Sequence, residues 1–319
     1  MRKLSLSAML LSAFLVSPSC WALSNDAKVP VLLYHSWQSA PPCDYAGNAS
    51  VAFARDLEVI YQAGYTVVPA RWVAEWAQGF RDGNMLPDKV VAITLDDGPN
   101  VDWVDETPAT SNRVCGPITS IKSRMLHFKS THPELPWYSP HASFFVIGSP
   151  LARMIIRGTG PSDEWWFEAN SSGIAEVFNH STDHDHDAIR TQYWDENLQT
   201  MIPIAGYGDG VWVGQGNFAR INDPETATRE VVNSAKYITS KTGVWPEMFA
   251  YPYGLASDYM RKVFFAQNVS NNHTFAAFCV TPTYVTRKSD PYCLGRFVFS
   301  NAWRSPAELQ IILNRAQHE

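Results

Sequence analysis

Short apolar runs alternating with stretches of helical spacing constrain this chain more than any other feature. Residues 29–34 (VPVLLY) are mostly apolar and β-rich. Residues 52–63 then carry Phe53, Leu57, Ile60 and Tyr61 on one side of a 3.6-residue repeat, and Gly64 ends that helix. Tyr65, Val67 and Val68 start a second strand, residues 70–78 a second helix, and Val90, Val91, Ala92 and Ile93 a third strand that runs into Asp96 and Asp97. Residues 142–147, 175–178, 246–250, 274–280 and 296–299 read as further short buried strands, separated by helices such as 226–242 and 306–317. Alternation of this kind predicts a parallel α/β architecture, closed as a barrel or open as a doubly wound sheet. A barrel suits chemistry placed at the C-terminal ends of its strands.

The chain has 319 residues, 45% of them hydrophobic, with no repeat period, which is enough for one large domain. It begins MRKLSLSAMLLSAFLVSPSCWALS: two positive charges, an apolar stretch from Leu4 to Val16, then small residues placed for cleavage after Ala22. Residues 1–22 therefore read as a signal peptide and 23–319 as a single catalytic domain, periplasmic or secreted, with no stable membrane insertion after cleavage. The apolar stretch is short for a retained anchor. Loss of Arg2 and Lys3 leaves 23 basic against 31 acidic residues, a net charge near −8 that argues against a nucleic-acid partner. The remaining cysteines, Cys43, Cys115, Cys279 and Cys293, allow three disulfide pairings, of which Cys279 with Cys293 would close a short loop. None of the close pairs expected of a thiolate zinc site is present.

Three stretches look inserted between the strand and helix units, near residues 100–140, 150–172 and 193–221. They are rich in Gly, Pro and Trp, including Trp165, Trp166 and Trp212. Such segments are either surface loops packed by their own aromatics or the walls of a groove for sugar rings.

Two adjacent carboxylates at the end of a buried strand repel one another and need compensation. A turn through Asp97, Gly98 and Pro99 would explain Asp97 alone. Residues 179–187 (NHSTDHDHD) offer more, because His180 and His184 are four apart, a spacing that puts two imidazoles on one side of a helical turn. A solvated polar loop is the alternative, and His186 adds a third imidazole. One carboxylate and two histidines make the three-ligand set of an open catalytic metal site. The cation would neutralise one aspartate and leave the other to act as a base on water.

TLDDGP, at residues 94–99, resembles the first motif of the polysaccharide deacetylases, metal-dependent enzymes that remove acetyl from amino sugars. NHSTDH is similar to their second motif, and FAYPYG, around Tyr251, Pro252, Tyr253 and Gly254, to their third. ASFFVIG, EVFNH and TGVWPEMFAYPYG follow in the family's order, so the resemblance covers residues 29 to 300. It implies a distorted (β/α) barrel of about seven strands acting on peptidoglycan, chitin-like polymer or poly-N-acetylglucosamine. It also implies Asp96 as general base, and Asp97, His180 and His184 as ligands of one divalent metal ion, zinc by default with Co2+ or Ni2+ also accepted. The Tyr253 N–H would hold the oxyanion, with Tyr251 and Pro252 beside the substrate.

The family's late Leu-x-His motif is missing near the C-terminus, but Leu33-Tyr34-His35 has that pattern, as in a circularly permuted subgroup of exported exopolysaccharide deacetylases. His35 is then the expected acid. Ala250 stands where the family has an arginine that braces the catalytic aspartate, and Arg296 is the candidate to reach in from another strand. Trp303, and less well Trp245, would line the acetyl pocket. O-acetyl ester hydrolysis on the same site, or carbohydrate binding without turnover, are the alternatives.

Overall fold

The computed structural model describes residues 22–37, 41–106, 115–157, 162–185, 192–203 and 218–318. The proposed signal peptide, Trp212 and His186 lie outside these residues, apart from Ala22. The strands are β1 (Val31–Tyr34), β2 (Thr66–Val68), β3 (Val90–Asp97), β4 (Ala142–Val146), β5 (Ala175–Asn179), β6 (Gln192–Asp195), β7 (Thr200–Pro203), β8 (Met248–Ala250), β9 (Ala276–Phe278) and β10 (Phe297–Val298). The helices are α1 (Ala49–Gln62), α2 (Ala70–Ala77), α3 (Ile121–Thr131), α4 (Pro150–Arg157), α5 (Trp166–Ser171), α6 (Pro224–Ala227), α7 (Ser234–Thr242) and α8 (Pro306–His318).

The main sheet is parallel throughout, in the order β10-β1-β3-β4-β5-β8-β9, and β2 pairs with the first half of β3. Surrounded by helices, it forms a half-barrel rather than a closed ring. Between its two outer strands runs the segment 291–296, where Leu294 bridges Phe278 and a Cys279–Cys293 disulfide fastens the crossing. Cys43 and Cys115 form a second disulfide. No helix among the described residues is long and apolar enough to cross a membrane.

Strand β3 shows how the sequence pattern becomes a layered core. All eight of its residues are buried, so both faces are covered, as in α/β proteins generally. Val91, Ile93 and Leu95 pack with Phe53 and Leu57 of α1 and Phe128 of α3. The alternate residues Val90 and Ala92 turn inward to Phe145, Phe178, Phe278 and Leu294. With a side-chain period of two, Thr94 and Asp96 belong to this inner face. The chain's hydrophobic pattern therefore delivers one aspartate of the pair to the middle of the half-barrel.

Helix α1 begins at Asn48, whose side chain accepts the N–H groups of Ser50 and Val51, and it buries Phe53, Leu57 and Ile60. Its inner face also carries Asp56, a fully buried carboxylate. Tyr34 donates to it at 2.7 Å, Trp303 at 3.0 Å, and Tyr45 through a short hydrogen bond.

The stretches that look inserted are more ordered than loops. The first contains α3, the second α4 and α5, and the third the antiparallel hairpin β6–β7. Trp165 and Trp166 are 4% and 0% exposed and pack into the helical layer of the core, Trp165 stacked on Trp103, so the groove-wall reading of these two rings is corrected. The helix expected over 226–242 is α6 and α7 joined by a π-helical turn, Thr228–Asn233.

Candidate active site

The C-terminal ends of β3, β5 and β8 converge on one buried cluster. Asp97 ends β3 with φ +80°, a left-handed conformation that costs a non-glycine residue about 1 kcal/mol or more. Gly98 follows at φ +69°, and a Cβ there would come within 2.6 Å of Val146 on β4, so only glycine fits the turn. The strained turn separates the two carboxylates and aims them at different partners.

Asp96, on the inner face, is gripped by Arg296. Nη1 donates to Oδ1 at 2.7 Å and Nη2 to Oδ2 at 2.8 Å, in the fork geometry that arginine makes with a carboxylate. Arg296 is itself fully buried, donates from Nε to the carbonyl of Cys279, and lies beside the rings of Phe145 and Phe278. Burial pushes the Asp96 carboxyl up, but the Arg296 guanidinium and, beyond it, His180 outweigh that and hold it below the usual carboxylate range. The residue standing where Ala250 leaves a gap is therefore brought in by the last strand.

Asp97 turns the other way. Its Oδ2 accepts the indole N–H of Trp37 at 2.8 Å and lies 4.0 Å from His35 Nε2. Its Oδ1 faces two imidazoles, 3.6 Å from His180 Nε2 and 3.4 Å from His184 Nε2. Ligand atoms about 2.0–2.2 Å from a tetrahedral zinc lie roughly 3.3 Å apart, so these separations match edges of one coordination shell. The donors of Asp97, His180 and His184 all fall within 4.8 Å of one another and are buried. His180 Nδ1 lies 2.8 Å from the carbonyl of Ala250, which can only accept, so Nδ1 carries the proton and the Nε2 lone pair faces the cluster. Donor type, spacing and tautomer fit a divalent cation.

The two histidines do not sit on a helical turn. They lie in a loop after β5 in which Ser181, His184 and Asp185 have φ of +73°, +65° and +48°. The four-residue spacing brings the rings together because the loop folds back on itself, with Ser181 Oγ accepting the His184 N–H at 2.9 Å.

Tyr253, at φ +56°, is partly exposed, and its ring meets that of His184 edge-on at 5.3 Å. Tyr251 does not face a substrate: its ring is buried among Phe249, Phe265 and Phe218, and Pro252 is buried beside it. Trp303 is likewise corrected, being 1% exposed, packed on Tyr34 and Phe299 and bonded to Asp56. Trp245 donates to the carbonyl of Asn272 and packs against His273. Trp37 escapes sequence reasoning, since one tryptophan three residues beyond a strand end carries no signal of the carboxylate it will meet.

Residues 131–270 match the family model for polysaccharide deacetylase, a span that includes the histidine loop and FAYPYG but not TLDDGP. No curated protein matches the chain. Among solved structures, IcaB from Ammonifex degensii superposes with a TM-score of 0.56 at 20% identity, covering 93% of this chain and 99% of that one. The deacetylase PplD from Streptococcus pyogenes, solved in complex with acetate, gives 0.58 at 15% identity, covering 90% and 99%. A de-N-acetylase from Aggregatibacter actinomycetemcomitans gives 0.53 at 15% identity, covering 89% and 99%. Residues 131–270 are thus similar to a polysaccharide deacetylase domain, and the chain shares the half-barrel fold of these solved structures.

Proposed function

We propose that this protein is a metal-dependent hydrolase that removes N-acetyl groups from an amino-sugar polysaccharide. The observation that carries the reading is the division of labour between neighbouring carboxylates, Asp96 clamped by Arg296 and Asp97 shared with His180 and His184. A divalent cation held by Asp97, His180 and His184, zinc by default, would supply Lewis-acid polarisation of the acetyl carbonyl and acidify water at the site.

The chain's own residues account for the proton movements. Asp96, kept ionised and fixed in orientation by Arg296, takes a proton from the attacking water. The Tyr253 N–H, on the left-handed turn beside His184, donates to the oxyanion of the tetrahedral intermediate. His35, partly exposed on the far side of Asp97, protonates the departing amine. Trp37 holds Oδ2 of Asp97 so that Oδ1 stays turned toward the histidines. Two disulfides in the described chain fit an oxidising compartment, and with residues 1–22 they support export.

The test is to make Asp96→Asn and Asp97→Asn separately, measure bound zinc, and assay acetate release from N-acetylglucosamine oligomers and from peptidoglycan. Asp96→Asn is expected to keep zinc and lose activity, and Asp97→Asn to lose both. Unchanged zinc content in both variants would refute the site assignment.

A further inference from the structure

The loop that carries His180 and His184 contains three left-handed non-glycine residues, so something must hold it against relaxation. Much of what holds it lies in the π-helical turn Thr228–Asn233, whose outward carbonyls and one carboxylate are directed at the loop. The Thr182 N–H donates to the carbonyl of Glu230 at 2.9 Å and its hydroxyl to that of Arg229 at 2.6 Å, while Asn179 Nδ2 donates to the carbonyl of Val231 at 2.8 Å. The Glu230 side chain, fully buried, goes further. Its Oε2 accepts the N–H of Asp183 at 3.3 Å and that of Asp185 at 3.2 Å, the residues on either side of His184, and its Oε1 accepts Arg229 Nε at 3.3 Å. Arg229 also reaches Asp185 Oδ1 at 3.1 Å, closing the frame. Single-turn π-helices are uncommon and recur at functional sites.

We propose that Glu230 is a positioning residue that fixes His184 for metal binding by clamping the backbone amides on both sides of it. The inference rests on the metal reading of Asp97, His180 and His184 given above. A carboxylate suits the task because the amides of Asp183 and Asp185 and Arg229 Nε all donate to it. Glutamine at this position must turn its NH2 toward either the two loop amides or Arg229, setting donor against donor.

The experiment compares Glu230→Gln with Ile238→Ala, a variant that opens the core cluster from the next helix, α7. Zinc affinity is measured by competition with a chromogenic chelator, and amide exchange at Asp183 and Asp185 is followed in the metal-free protein. Glu230→Gln is expected to weaken zinc binding about 10- to 100-fold, the range found when a partner that orients a metal ligand is lost, and to speed exchange at both amides. Ile238→Ala is expected to lower the melting temperature with zinc affinity unchanged. Wild-type zinc affinity and unchanged exchange in Glu230→Gln would overturn the role of Glu230, as would an equal loss of affinity in Ile238→Ala. Wild-type protein that takes up no zinc would instead overturn the metal reading, and this inference with it.

Discussion

Replacing Arg296 by methionine isolates the electrostatic part of the clamp on Asp96. Methionine retains the apolar stem of the arginine but not the guanidinium, whose Cζ lies 5.8 and 6.0 Å from the ring centroids of Phe145 and Phe278. What disappears is both hydrogen bonds to Asp96, the bond to the Cys279 carbonyl and a longer one to Thr94 Oγ1. Asp96 is only 2% exposed, so its charge would be left without a counterion in the interior of the half-barrel. Removing one partner of a buried, hydrogen-bonded pair costs about 3–5 kcal/mol, most of it the penalty of the stranded charge. Asp96→Asn strands the guanidinium in the same way. The double variant, with neither charge, should recover much of the loss, so the cycle is expected to show a coupling energy of about 2 kcal/mol or more. Urea unfolding of the four proteins with disulfides intact and chelator present measures this without interference from metal linkage. Single variants within about 1 kcal/mol of wild type, or effects that add to within about 0.5 kcal/mol, would refute the claim that Arg296 compensates Asp96.

Burial raises the Asp56 carboxyl from 3.8 to about 6, despite the bonds from Tyr45, Trp303 and Tyr34 that pull it down. A carboxyl raised in the folded state favours the protonated fold, so this contribution is complete below about pH 3.8 and is lost as pH rises through 6. Relative to Asp56→Asn, wild-type stability should therefore fall by about 3 kcal/mol across that window, and parallel stability-against-pH curves for the two proteins would contradict it. Converting Cys279 and Cys293 to serine opens a loop of 14 residues and should cost about 3 kcal/mol in urea unfolding by chain entropy. It should also lower kcat more than KM, because the segment it frees leads directly to Arg296; a loss of stability with kcat intact would separate the crosslink from the clamp.

The half-barrel was legible because its strands are buried on both faces and so appear as unbroken apolar runs such as VVAITL, bounded by turn residues. That Asp96, Asp97, His180 and His184 come together was legible because the aspartates end a strand before Gly and Pro and the histidines follow another strand within five residues of its end. Contacts made across the fold were harder to read. Arg296 could be suspected only because Ala250 left a role vacant, and nothing local marked Trp37 or Glu230. Tyr251 and Trp303 were misplaced for a related reason: an aromatic residue near a motif has the same local signature whether its ring faces the groove or the core. The helical reading of the histidine spacing failed because left-handed residues cannot be told from helical ones by spacing alone.

The clamp joins Asp96 to a residue 200 positions later in the chain. A polypeptide made from its N-terminus therefore holds its central carboxylate without this partner until β10 has arrived and paired with β1. Contacts of such long sequence separation are the slow ones in folding. The candidate site is thus among the last parts of the half-barrel to be assembled, and a chain interrupted before β10 would lack the clamp as well as the strand. Addition of β10 to the sheet and compensation of Asp96 become one event.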